Sequence, residues 1–236
     1  MLVTAASRAL RALWRDCSGV ALVEFAYAAP VLITLTVGGA EIANYATVKM
    51  RVSQLAIHVS DNASRIGEGD PLAARRITET QINDLLTGAG MQAGTLNIFG
   101  TFVERSGGAN VTRPRGRIII SNLEPMVSPV NTGNRYRITW QRCRGLATTY
   151  TPQYGTVGQS SGTNMVGMGP AGRQVTAPDG TAVIFVEVHY RYEPLFIGGV
   201  GIIPYENINA VSAMTVRNDR DLTQIYNTEG AAVSSC

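Results

Sequence analysis

Glu24 is the residue whose chemistry most needs an explanation. It is the single charge in the twenty-one residues from Val20 to Ala40. A carboxylate in such an apolar run costs a few kcal/mol in lipid unless a cation or a set of donors meets it. Immediately upstream lie Gly19 and three arginines, Arg8, Arg11 and Arg15. The cysteines offer a second kind of chemistry, since Cys17, Cys143 and Cys236 allow three pairings. The two histidines, His58 and His189, belong to no HExxH, and there is no CxxC and no nucleophile elbow. The glycines between Gly88 and Gly94 lack the spacing of a nucleotide loop. The sequence therefore names no catalytic residues, no metal ligands and no cofactor, and the expectation is that the chain is not an enzyme.

The element that must position Glu24 is a helix. At about 1.5 Å per residue, the run from Val20 to Ala40 is as long as a bilayer core is thick, about 30 Å. A signal sequence would end at a small-x-small site soon after a short apolar core. Here the small residues at 26–29 sit inside a run that continues, so the segment is expected to remain as an anchor. The arginines place residues 1–19 on the cytoplasmic side as a leader. Cys143 and Cys236 would then share the oxidising side, where disulfides persist, and a bridge between them would pin the end of an outer domain. The alternative is two buried free thiols. For Glu24 itself, the alternative to a charge partner is a side chain that snorkels to the headgroups. Pro30, inside the span, should kink or loosen it.

Beyond Glu41 the helical period continues. Tyr45, Val48, Val52, Leu55, Val59, Ala63 and Ile66 recur in steps of three and four, which predicts one buried stripe on a helix from Val20 to Ile66, closed by Gly67. Asp70 and Pro71 read as the cap and first residue of a second helix that ends near Gly88, followed by a flexible connection to Gly94. Strands are expected at 95–103, 117–122, 136–142, 182–192 and 209–216. In the fourth, Ile184, Val186, Val188, Tyr190 and Tyr192 alternate with Phe185, Glu187, His189 and Arg191, which predicts a strand with one wet face carrying His189. The segment 146–179 reads as a surface loop, residues 197–203 as an apolar turn or contact patch, and Asp219-Arg220-Asp221 as a solvated turn. The fold class is α+β: a long transmembrane helix (20–66, spanning at 20–40) and a second helix packed on an antiparallel sheet, within an outer domain from 67 to 236. Net charge is +3, of which Arg8, Arg11, Arg15 and Asp16 supply +2, and the nearly neutral remainder argues against nucleic acid as a partner.

The stretch Gly19-Val20-Ala21-Leu22-Val23-Glu24-Phe25 resembles the processing site of type IV pilin-like precursors, with a basic leader, a glycine, and glutamate as the fifth residue of the apolar helix. More narrowly, Val23-Glu24-Phe25-Ala26, Pro30 and the run through Glu41 are similar to TadE-like pseudopilins of the tight-adherence (Flp-type) pilus. Downstream, Trp140-Gln141-Arg142-Cys143-Arg144-Gly145, Gly167-Met168-Gly169-Pro170 and residues 186–192 are similar to the outer domain of long members. The resemblance implies a pilin-like fold and cleavage by an inner-membrane prepilin peptidase between Gly19 and Val20. The freed amine would then lie about one turn from Glu24, in the same chain or a neighbour, and pairing would favour assembly. The partners implied are the peptidase, other pilins and pseudopilins, the pilus assembly machinery and the inner membrane, with the C-terminal domain in the periplasm. The alternative function is an uncleaved, membrane-anchored periplasmic binding module of a secretion or cell-wall system.

Overall fold

The structure, a computed structural model, describes residues 18–70, 73–106, 109–126, 135–158, 165–196 and 204–236. Most of the leader, with Arg8, Arg11, Arg15 and Cys17, lies outside them, as do Pro71, Leu72 and the apolar stretch 197–203. Helix α1 runs unbroken from Ser18 to Arg65, through Pro30. Its forty-eight residues make a rod of about 72 Å. Helix α2 spans Glu79–Ala93 and a 3-10 turn follows at Gly94–Leu96. The strands are β1 (Thr101–Ser106), β2 (Ala109–Pro114), β3 (Gly116–Pro125), β4 (Tyr136–Arg144), β5 (Val183–Arg191) and β6 (Asn207–Thr215). β1 and β2 form an antiparallel hairpin, and the other four make an antiparallel sheet in the order β4-β3-β5-β6. The arrangement is α+β, with α1 packed on β5, β6 and α2.

The stripe on α1 is the seam. Val52, Leu55, Val59 and Ala63 are buried, with Tyr45, Val48 and Ile66 at its margins. Ala56, Ser60 and Ser64 are buried on the same face, small enough to let the helix approach the sheet. The Ser60 hydroxyl meets that of Ser212 on β6 at 2.7 Å. Opposite them stand Ile118, Ile120, Ile184, Val186, Val188 and Ile208, with Ile82 and Leu86 of α2 closing the core.

Four expectations need correcting. Residues 73–78 are not helical, and α2 starts at Glu79. Its cap is Thr78, in a reciprocal capping box with Gln81: Thr78 Oγ1 accepts the Gln81 N–H at 3.2 Å, and the Thr78 N–H donates to Gln81 Oε1 at 3.3 Å. Satisfying two otherwise orphaned donors there outweighs the local signal at Asp70. The helix also runs to Ala93, so Gly88–Gly94 is no flexible connection; Gly90 lies where the Phe99 ring leaves no room for a side chain. In the expected strand 95–103, a 3-10 turn comes first and the strand begins at Thr101. Most consequentially, β5 has no wet face. Both of its sides are buried, and His189 is only 1% exposed. The described parts of 146–179 cover the second face of the sheet, where Leu123, Ile138, Met168, Ala177 and Phe185 form a second small core with Tyr154 and Val175.

Candidate functional site

Along α1 the chain changes environment. From Gly19 through Thr36 nearly every residue is exposed, including Leu22, Phe25, Tyr27, Leu32 and Leu35. Among the described residues, this stretch makes the one helix long and apolar enough to cross a membrane, consistent with a single-pass membrane protein. The two threonine hydroxyls of the span, Thr34 and Thr36, each donate to the carbonyl four residues back, at 2.7 Å, so neither needs water. Gly19 has open space around it. Val20 follows on the same exposed surface, and Glu24 lies about 6 Å further along the helix axis. Among the described residues, nothing within this chain pairs with Glu24.

The second acid on α1 is treated differently. Glu41 is fully buried. Its Oε1 accepts the Tyr192 hydroxyl at 2.5 Å, and its Oε2 accepts the backbone N–H groups of Leu195 at 3.0 Å and Phe196 at 3.3 Å. Asn44 donates to the same Tyr192 oxygen at 2.9 Å, and Tyr45 packs edge-on against the Tyr192 ring. Burial, and then the hydrogen bond to Glu41, push the Tyr192 hydroxyl up to about 12, so it remains a donor at any physiological pH. This knot fastens the helix to the end of β5 at the point where the exposed half begins. It was missed in the sequence, although a signal existed: Glu41 stands four residues before Tyr45, on the extension of the buried stripe.

The other end of α1 is held by the C-terminal segment. The Arg220 guanidinium donates to the Ala63 and Ile66 carbonyls at 3.1 and 2.7 Å. The Arg217 N–H reaches the Ser64 carbonyl at 3.2 Å, and the Asn218 amide the Arg65 carbonyl at 3.2 Å. Four carbonyls that a helix end leaves orphaned are thereby satisfied, and the cation sits where the helix dipole favours it. Burial lowers the Arg220 guanidinium to about 10, still protonated at neutral pH. The expected solvated turn is thus a buried cap, because Arg220 has carbonyls to meet there. The chain then runs beside residues 75–78 and over α2, where Asn83 donates to the Ala232 carbonyl at 2.7 Å.

That segment ends at a disulfide. Cys143 on β4 is bonded to Cys236, with Cα atoms 4.9 Å apart and a sequence separation of 93. The Cys143 N–H also donates to the Ser234 carbonyl at 2.8 Å. Closing a loop of that length is worth about 4 to 5 kcal/mol in chain-entropy terms. Close by, Arg117 donates to the carbonyls of Thr148, Tyr150 and Cys236, tying the covering loop, the sheet and the tail together.

Several other buried polar residues take part in holding the fold. His189 stacks on Tyr150 and its Nδ1 lies 2.9 Å from Asn209 Oδ1, while Glu187 accepts the Gln153 N–H at 2.9 Å. His58 is exposed on α1. A cleft between β4 and residues 221–225 is lined by Glu79, Glu124, Thr139, Trp140 and Arg142, but there the Arg142 fork grips both Glu79 carboxylate oxygens. Among the described residues, no three His, Cys, Asp or Glu side chains gather as a metal site requires.

Residues 19–57 match the family described as TadE-like protein. The matched segment starts at Gly19, takes in the whole exposed half of α1 and the helical side of the knot (Glu41, Asn44 and Tyr45), and ends partway along the buried stripe. Over this segment the chain is similar to TadE-like proteins. No curated protein and no solved structure matches the chain.

Proposed function

We propose that this TadE-like chain is a minor pseudopilin of a tight-adherence pilus, made as an inner-membrane precursor and cut by a prepilin peptidase between Gly19 and Val20. The observation that carries the reading is a helix of two natures whose family match begins at Gly19. Its first half is apolar on every side and carries one acid that has no partner among the described residues; its second half is locked into a folded head. An element so built is stable in lipid and equally able to exchange lipid for the apolar helices of neighbouring subunits. Gly19 presents bare backbone to a protease. Cleavage would create a cation about one turn from Glu24, and the two charges could neutralise each other in the low-dielectric interior of a membrane or fibre.

In this reading the head is a structural rather than a catalytic body, exported to the periplasm, where the Cys143–Cys236 bond persists. Its buried ions support that role: Arg142 with Glu79, and Arg220 with the end of α1, are committed to fastening segments to one another. Its partners would be the peptidase, other pilins and the assembly machinery in the inner membrane. Intact-mass and N-terminal analysis of the protein extracted from native membranes tests the proposal. The expected species starts at Val20. A chain that keeps residues 1–19 while pili are being made overturns it.

A further inference from the structure

The apolar run of α1 ends at Ala40, and Glu41 is the first residue beyond it. Twenty-one residues at about 1.5 Å each match the hydrocarbon thickness of a bilayer, so Glu41 marks the level at which the helix leaves lipid. Its carboxylate holds the Leu195 and Phe196 N–H groups, which fixes those two residues at the same level as the helix exit. Their side chains stay partly open to the outside. Leu195 is 55% exposed and Phe196 38%, and Ile42, next to Glu41 on the helix, is 54% exposed. The charge that precedes them, Glu193, is paired with Arg115 at 2.8 Å. Glu41 itself is sealed, and the exposed Glu206 nearby is engaged by Tyr45.

We propose that Leu195 and Phe196, together with Ile42, dock on the lipid surface beside the emerging helix and give the head a second contact with the membrane. The inference rests on reading the exposed half of α1 as a membrane span. Large apolar side chains held at the headgroup level bury themselves in the interface, as those of amphipathic surface segments do. The patch is continuous with the span through three hydrogen bonds, and that continuity favours lipid over a protein partner. A head carried on one helix alone can swivel and tilt; with a second contact beside the helix, one orientation is selected. The Glu41 knot sets the depth and the apolar side chains hold it.

Three tryptophan substitutions test this in the full chain, each on a Trp14→Phe background so that buried Trp140 is a constant second emitter: Leu32→Trp within the span, Phe196→Trp in the patch, and Val166→Trp. Val166 is exposed beside Met165, which bridges to Tyr136 at the far end of the sheet. The proteins are reconstituted in phosphatidylcholine vesicles carrying a doxyl quencher either near the headgroups or near the bilayer centre. The tryptophan at 32 is expected to lose emission to the deep quencher. That at 196 should shift to the blue and lose emission to the shallow quencher, with that at 166 unaffected. Quenching at 32 with no more quenching at 196 than at 166 overturns the docking and leaves the span standing. No quenching at 32 overturns the span, and the docking with it.

Discussion

Glu24 and Glu41 are the same side chain on the same helix, and the molecule handles them in opposite ways. Glu41 is fully buried, with a hydroxyl and two backbone N–H groups arranged around it. A carboxylate so surrounded has its acceptor oxygens met within the fold and needs nothing from outside. Glu24 stands exposed among leucine, valine and phenylalanine, and among the described residues it has no partner. The fold thus shows that it can satisfy an acid on this helix when the acid serves the fold. Glu24 has no such partner among the described residues, and under the proposed function that marks it as the residue left for assembly while Glu41 serves the fold.

Breaking each acid in turn tests the distinction, and the largest effect should come from Glu24. Glu24→Ala is expected to leave the head's unfolding transition and the processing at Gly19 unchanged while reducing surface pili at least about tenfold, since about 1.4 kcal/mol lost per subunit contact already gives that factor. Shearing pili from cells and blotting both fractions measures it. Normal piliation with normal processing would show that Glu24 only snorkels.

The mirror-image substitution acts on the head. Glu41→Ala leaves the Leu195 and Phe196 N–H groups and the Tyr192 hydroxyl without their acceptor, at a cost of about 2 to 3 kcal/mol. Urea unfolding of the detergent-solubilised protein should show this as a lower midpoint with an unchanged slope. Glu41→Gln keeps one acceptor oxygen and should cost about half as much. If Glu41→Ala leaves the midpoint in place, the knot is incidental and the comparison fails on its structural side.

How much of this could be read in advance depended on the range of the interaction. The stripe from Tyr45 to Ile66 was legible because a helix that buries one face must repeat near 3.6 residues, and that information is local. So was the exposed half, which needs only a count of apolar residues. The start of α2 was misplaced because Asp70-Pro71 and Thr78…Gln81 are both good local start signals, and only the second gains from Glu79, which meets Arg142 from β4. The alternation in β5 was read correctly as two faces, but whether the second is wet depends on a loop that folds back from tens of residues away. The partners of Glu41 lie some 150 residues on, and those of Arg220 as far back. No local pattern announces such meetings, so an acid and an arginine at the two ends of the buried half looked like ordinary surface charges.

A third acid sharpens the comparison by falling between the other two. Glu124 on β3 is nearly buried, like Glu41, and accepts from Asn122 at 2.6 Å and Thr139 at 2.8 Å, with Arg137 further off at 3.6 Å. Yet burial outweighs these contacts, and its carboxyl is raised above the ordinary carboxylate range. A raised folded value means that the folded head holds a proton where the unfolded chain has already released it. Glu124 therefore costs stability at neutral pH, and that cost is relieved as pH falls through the folded value towards the unfolded one. Glu124→Gln removes the ionisable group and keeps an acceptor for Asn122 and Thr139. Its midpoint should exceed that of the wild type slightly at pH 7, by about 1 kcal/mol or less, and the gain should shrink towards pH 4. A gain that holds constant from pH 7 to pH 4, or a loss at pH 7, would mean that the three donors outweigh the burial of the Glu124 carboxylate.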